Sequence, residues 1–303
     1  MLNIRMRDDE LIEGMKKGDR KALAKMLSLC ENFPEKANSL LKEMKKSTAH
    51  VIGLTGSPGV GKSTLMNSIL DKLSTKQVGV IVVDPSSPFT HGALLGDRIR
   101  MQSHATAENI FIRSFASRGA LGGLSPSIYE ACDAFEAFGM DDVIIETVGV
   151  GQSEVDVKNV ADTVAVVLSP DGGDEVQMMK AGLMEIADIF IINKSDNPKA
   201  QMLMSKLKAI MAMGNKTIPI FLTNAITGEG VSEVVKAFDE RFHEMETTNL
   251  LFEKRKARLV HHVKASLRRE LDELVEKSEI KDDKNDFLKL KNFFVNELCK
   301  KYK

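Results

Sequence analysis

Cysteine is scarce: the 303-residue chain has three, Cys30, Cys132 and Cys299, far apart and in no CxxC or zinc-ligand spacing. They read as reduced thiols, which excludes a disulfide scaffold and a structural zinc site. An excess of charge of either sign is also lacking. Lys and Arg number 42 against 43 Asp and Glu, so no overall field draws the molecule to nucleic acid or to an anionic membrane. Long apolar runs are missing as well. Nothing approaches the roughly 20 residues that span a bilayer, and the opening MLNIRMRDDE has no apolar stretch of signal-peptide length. The expectation is a cytoplasmic protein with neither a nucleic-acid nor a membrane partner.

What is present is organised in three parts: a helical arm over residues 1–48, a nucleotide-binding domain over 49–246 and a helical extension over 247–303. In the arm, Leu11, Ile12, Met15, Leu23, Met26 and Leu27 recur at helical spacing, with Gly18-Asp19 as a break. Then come seven short apolar runs: VIGLT, VGVIVVD, IFIRSF, DVIIET, TVAVVLS, IFIIN and IPIFLT. Near-continuous apolar strands alternating with amphipathic stretches indicate an α/β fold, a mostly parallel sheet with helices on both faces. In the extension, Leu259, Val263, Leu267, Leu271, Leu274 and Val275 form an apolar stripe, core or dimer seam, and the charged opposite side reads as a solvated face.

Gly56-Ser57-Pro58-Gly59-Val60-Gly61-Lys62-Ser63-Thr64 fits G-x-x-x-x-G-K-[ST] and stands between an apolar strand and a helical stretch, the context that the P-loop requires. Glycines let backbone N–H groups curl around a phosphate, Lys62 reaches the β- and γ-phosphates, and the Ser63 hydroxyl suits Mg²⁺. A second acid on the magnesium side is expected at a neighbouring strand end. Glu146 in IIETVGVG fills that position, one methylene longer than the usual Asp and reaching through a water, and Gly149 admits the γ-phosphate to backbone N–H. Asp84 closes another strand at the same crevice, and Asp97 in LLGDRIRM is a third candidate acid. Lys62, Glu146 and Asp97 are thus candidates for catalysis as well as binding.

Asn193-Lys194-Ser195-Asp196 follows the run IFIIN and fits NKxD. A carboxylate accepts from both N1–H and the 2-amino group of guanine, a donor pair that adenine lacks, so Asp196 selects GTP or GDP. Lys194 lays its stem along the base and Asn193 braces the P-loop. In the later Thr223-Asn224-Ala225 turn, Ala225 N–H is placed to meet guanine O6, although guanine loops usually carry Ser where Asn224 stands.

Together GSPGVGKST, VVDPSSPFT, GALLGDRIRM, FIRSFASRGALGGLS, ETVGVGQSEVDV, DGGDEVQMMKAG and NKSD resemble the MeaB family over essentially the whole chain. The resemblance implies a P-loop GTPase of the SIMIBI class, homodimeric, with Mg²⁺, acting as chaperone for an adenosylcobalamin-dependent acyl-CoA mutase of the methylmalonyl-CoA mutase type. It also implies a partner switch at Asp174, Glu175, Gln177 and Lys180, with Lys180 brought to the γ-phosphate when the partner docks. Two departures stand out: His91-Gly92 precedes ALLGD where the family has a glycine pair, and the helix after the P-loop reads LMNSIL without an aromatic. A nickel-type metallochaperone and a transport-associated kinase share the fold. The first needs His or Cys near the switch, and His91, His104, His261 and His262 have no cysteine in reach; the second needs ATP, which Asp196 disfavours. Gln152 is close to the place of a water-orienting residue, and slow unstimulated hydrolysis is expected.

Overall fold

The computed structural model describes residues 7–85, 107–117, 124–147, 153–171, 182–215, 217–277 and 287–301. Three helices open the chain: α1 (Asp8–Lys16), α2 (Arg20–Asn32) and α3 (Pro34–Lys42). The expected break falls at Gly18, which has a φ of 76°, and the Asp19 carboxylate then caps α2 by accepting from Lys21 N. These helices bury the predicted stripe, Leu11, Ile12, Met15, Leu23, Met26 and Leu27.

All seven apolar runs are strands: β1 (His50–Thr55), β2 (Val78–Pro85), β3 (Ile110–Ser117), β4 (Asp142–Glu146), β5 (Thr163–Leu168), β6 (Ile189–Ile192) and β7 (Ile220–Leu222). They form one sheet in the order β3-β2-β4-β1-β5-β6-β7, and every pairing is parallel. Between and after them lie α4 (Lys62–Lys72), α5 (Ser127–Phe138), α6 (Ser153–Asp156) with a 3₁₀ turn at Val157–Asn159, α7 (Leu183–Ile186), α8 (Lys199–Met213), α9 (Val231–Thr247), α10 (Leu250–Lys277) and α11 (Phe287–Lys301).

Strand pleating sorts the apolar runs into two cores. Val51, Val143, Ile145, Val164 and Val166 face the arm, α5 and α8. Ile52, Leu54, Ile144, Ala165 and Val167 face α4 and α9. Each strand is therefore apolar on both sides because a helix layer lies on both. At the outer edge, Arg20 donates to Glu108 O and Ile110 O, each at 2.8 Å, so the arm supplies donors to backbone carbonyls at the start of edge strand β3.

The apolar stripe of the extension is not core, and its charged face departs from the expectation of a solvated one. Leu259, Val263, Leu267, Leu271 and Val275 of α10 are exposed, Leu259 at 62%, and the side read as solvated is the one packed down. Arg255 donates to Glu136 Oε1 at 2.7 Å, Ala49 O at 2.6 Å and Asp162 Oδ2 at 2.9 Å. Arg258, only 9% exposed, lies 3.5 Å from Asp133, and His262 stacks on Tyr129 while its Nε2 sits 3.2 Å from Glu130 Oε1. The usual amphipathic rule fails here because α5 presents three acids, Glu130, Asp133 and Glu136, where a helix neighbour is ordinarily apolar. Burial pushes the Glu136 carboxyl above its ordinary range, against the pull of Arg258 and Arg255. Among the described residues no helix is long and apolar enough to cross a membrane.

Candidate functional site

The strand order reverses around β1, so the C-terminal ends of β1, β4, β5, β6 and β7 border one crevice. The loop after β1 is shaped by its glycines. Gly56, Gly59 and Gly61 have φ of 146°, 81° and 91°. A Cβ at Gly56 would stand 2.1 Å from Val167 O, and one at Gly61 would stand 2.5 Å from Asn193 Nδ2, so the loop is wedged between β5 and the segment after β6. Buried Lys62 donates back to Gly56 O at 2.6 Å and Ser57 O at 3.0 Å. Its ammonium is thus folded into the loop that α4 extends, where the helix N-terminus adds partial positive charge.

Ser63 and Glu146, 83 residues apart, are brought into direct contact: Ser63 Oγ donates to Glu146 Oε1 at 2.6 Å. The carboxylate at the end of β4 thus meets the P-loop hydroxyl directly. Glu146 is buried at the end of β4, beside Thr147, whose Oγ1 donates to Thr55 Oγ1 at 3.0 Å. Two oxygen donors, one of them an acid, form a set suited to a hard divalent cation. Asp84 stands at the C-terminal end of β2 in register with Ala116. Asp97, Gly149, Gln152, Asp174, Glu175, Gln177 and Lys180 lie outside the described residues.

The segment after β6 is tied to the P-loop by Asn193. Its Nδ2 donates to Val60 O at 3.0 Å, and its Oδ1 accepts from Ala225 N at 3.0 Å and Thr223 Oγ1 at 3.4 Å. The brace expected of Asn193 is present. Ala225 N–H, the group expected to face guanine O6, here donates to the buried Asn193 amide oxygen. Lys194 takes a left-handed φ of 59°, and its Nζ donates to Asp171 Oδ2 at 3.0 Å. Asp196 is exposed at the rim and accepts from Asn224 Nδ2 at 3.1 Å.

Two carboxylates at the site lie inside quoted motifs, Asp171 at the head of DGGDEVQMMKAG and Glu154 in ETVGVGQSEVDV, without having been singled out. Asp171, just after β5, bridges Lys194 and Asn197, whose Nδ2 lies 2.6 Å from Asp171 Oδ1. The Lys194 hydrogen bond holds the Asp171 carboxyl below its ordinary range. Glu154 in α6 is buried near Lys62; burial raises its carboxyl, partly offset by the lysine charge. Glu154 sits inside the quoted ETVGVGQSE run and was legible there only as part of a string.

The sequence profile of a family described as methylmalonyl-CoA mutase-associated GTPase MeaB matches residues 23–280. The chain belongs to the MeaB family. Like its relatives it is a GTPase. A Pyrococcus horikoshii protein named as a GTPase is 47% identical over 267 residues, 84% of each chain. A Caenorhabditis elegans protein named methylmalonic aciduria type A homolog, mitochondrial, is 38% identical over 224 residues, 67% of this chain and 56% of that one. Among solved structures, one described as a LAO/AO transport system kinase superposes with a TM-score of 0.70 at 25% identity, covering 92% of this chain and 89% of that one. The P-loop NTPase architecture of this MeaB-family member is thus shared along nearly its whole length.

Proposed function

We propose that this MeaB-family GTPase binds GTP with Mg²⁺ in the crevice around β1 and uses the presence or loss of the γ-phosphate to act as chaperone for an adenosylcobalamin-dependent acyl-CoA mutase. The observation that carries the nucleotide reading is the Ser63–Glu146 contact at 2.6 Å, on a P-loop whose other wall is pinned by Asn193. Ser63 and Glu146 are the residues that would hold Mg²⁺, with Asp84 and Asp97 as further acids. Bound there, the cation would neutralise charge on the β- and γ-phosphates.

Lys62 supplies a second positive charge once its ammonium exchanges loop carbonyls for phosphate oxygens, and the backbone of Gly56 to Thr64 cradles the anion. Asp196 accepts from guanine N1–H and the 2-amino group, while the Lys194 stem covers the base. Gly149 senses the γ-phosphate. Lys180, with Asp174, Glu175 and Gln177, forms the partner switch, and a cation added at the γ-phosphate only on docking stabilises transition-state charge. Hydrolysis is slow until then.

The mutase is inferred from the family's association with methylmalonyl-CoA mutase. Dimerisation through α10 is inferred from its exposed stripe of Leu259, Val263, Leu267, Leu271 and Val275. The test is a GTPase assay with and without a purified adenosylcobalamin mutase, on the wild type and Lys180→Ala. Stimulation that K180A abolishes, with its unstimulated rate intact, supports the reading; no stimulation by any such mutase removes the chaperone role.

A further inference from the structure

Asn224 departs from the serine usual at its position in guanine loops, and every polar group it has is engaged. Its backbone N–H donates to Glu229 O at 3.0 Å, and its carbonyl accepts from Gly228 N at 2.9 Å. Its side-chain Oδ1 accepts from Ile226 N at 3.0 Å and Thr227 N at 3.3 Å. That settles which way the carboxamide points, because the reverse orientation would set its NH₂ against two N–H donors. Nδ2 therefore faces outward, to Asp196 Oδ1 at 3.1 Å.

The turn that carries Asn224 is held firmly. Ala225 is bonded at both backbone groups, its N–H to Asn193 Oδ1 at 3.0 Å and its carbonyl to Ser68 Oγ at 2.5 Å. Gly230 closes the turn with a left-handed φ of 73°, and a Cβ there would stand 2.0 Å from Leu222 O. Asp196, by contrast, is exposed and leaves the loop after β6 with rotatable bonds to spend.

We propose that Asn224 is a specificity-determining positioning residue: its carboxamide, fixed by the turn, holds the Asp196 carboxylate in the one orientation that reads the N1–H and 2-amino group of guanine together. This rests on the proposed reading of Asp196 as the base-selecting group. One lone pair of Oδ1 goes to Asn224, and the other, with Oδ2, remains for the two base donors. A carboxylate with free rotation still meets a single donor, whereas a paired contact needs its plane fixed. Asn224 thus acts on discrimination between guanine and hypoxanthine, which keeps N1–H and lacks the 2-amino group. A serine hydroxyl has one oxygen to serve both the turn and Asp196; the carboxamide divides the two tasks between two atoms.

The test is calorimetric titration of the full chain with GDP and IDP, each with Mg²⁺, on the wild type, Asn224→Asp and Asn224→Ala. N224D keeps the oxygen that closes the turn and sets a second, like-charged carboxylate oxygen against Asp196 where the donor stood. The expected result is a wild type that prefers GDP, a GDP to IDP ratio that falls about tenfold in N224D, on the scale of one charge-assisted hydrogen bond, a smaller fall in N224A, and a thermal midpoint little changed in N224D. Equal losses for GDP and IDP, leaving the ratio as in wild type, would make Asn224 a turn residue alone and overturn the proposal. A wild type that binds GDP and IDP alike would remove the Asp196 reading itself, and the proposal with it.

Discussion

Replacing Arg255 by alanine removes the guanidinium that α10 inserts between β1, β5 and α5. Three acceptors lose a donor at once: Glu136 Oε1, Asp162 Oδ2 and Ala49 O. Glu136 is 4% and Asp162 1% exposed, so neither regains water without local opening. Breaking one partner of a buried pair costs about 3–5 kcal/mol. The lower end applies, because Val51 N still donates to Asp162 Oδ2 at 3.0 Å and Arg258 stays 3.8 Å from Glu136. At about 2–4 °C per kcal/mol for a domain of this size, R255A should lower the melting midpoint by roughly 6–12 °C, while the exposed Lys256→Ala should move it by no more than about 1–2 °C.

The deficit also carries a pH signature. The Glu136 carboxyl is already raised from 4.5, so between 4.5 and its folded value the native state holds the extra proton. Stability contributed by that proton is present at low pH and lost as pH rises through the window. Removing Arg255 widens the window upward. Urea titrations of wild type and R255A at pH 5 and pH 8 should therefore show the larger gap at pH 8. A gap under about 1 kcal/mol at both, or one that shrinks with rising pH, would refute the view that α10 is held by a buried ion network.

Other consequences are as direct. His50 is buried against Phe242 with its Nε2 2.8 Å from Thr163 Oγ1, and burial pushes it down to about 3 from 6.5. Only the unfolded chain is protonated across that window, so this group removes up to about 1.4 kcal/mol per pH unit as pH falls through it; in His50→Gln that part of the acid slope should vanish from urea titrations. Gly61→Ala combines a φ of 91° with a Cβ 2.5 Å from Asn193 Nδ2, and should weaken nucleotide binding by about 1–3 kcal/mol in a fluorescence titration. Asp196→Asn turns a guanine acceptor into a group that can donate. It should lose about 3–6 kcal/mol of GTP binding, two charge-assisted hydrogen bonds, and gain xanthosine triphosphate, whose ring has a carbonyl at the 2-amino position.

The strands and the P-loop were legible because their signals are local. Apolar runs such as DVIIET carry their own secondary structure, and GSPGVGKST names its chemistry through spacing. Glu146 was legible for a related reason, since a strand end fixes where a side chain emerges. What escaped depends on contacts between distant segments. Asp171 means little until β5 and β6 lie side by side and deliver it to Lys194. Glu154 is one acid among many until α6 brings it near Lys62. The charged face of α10 was misread for a deeper reason: periodicity shows that two faces differ, and only the neighbour decides which is buried. Here α5 answers with acids, so Arg255 and Arg258 turn in and Leu259 and Val263 turn out.

The central claim is a crevice that binds a guanine nucleotide by a P-loop with Ser63 and Glu146 and by Asp196. It is tested most directly by calorimetry of the full chain with GDP and ADP, with and without Mg²⁺. The account predicts GDP binding at least about a hundredfold tighter than ADP, the scale of two hydrogen bonds to a charged group, strengthened by Mg²⁺ and weakened in Ser63→Ala. Equal or tighter ADP binding, or GDP binding indifferent to both Mg²⁺ and Ser63, would contradict it.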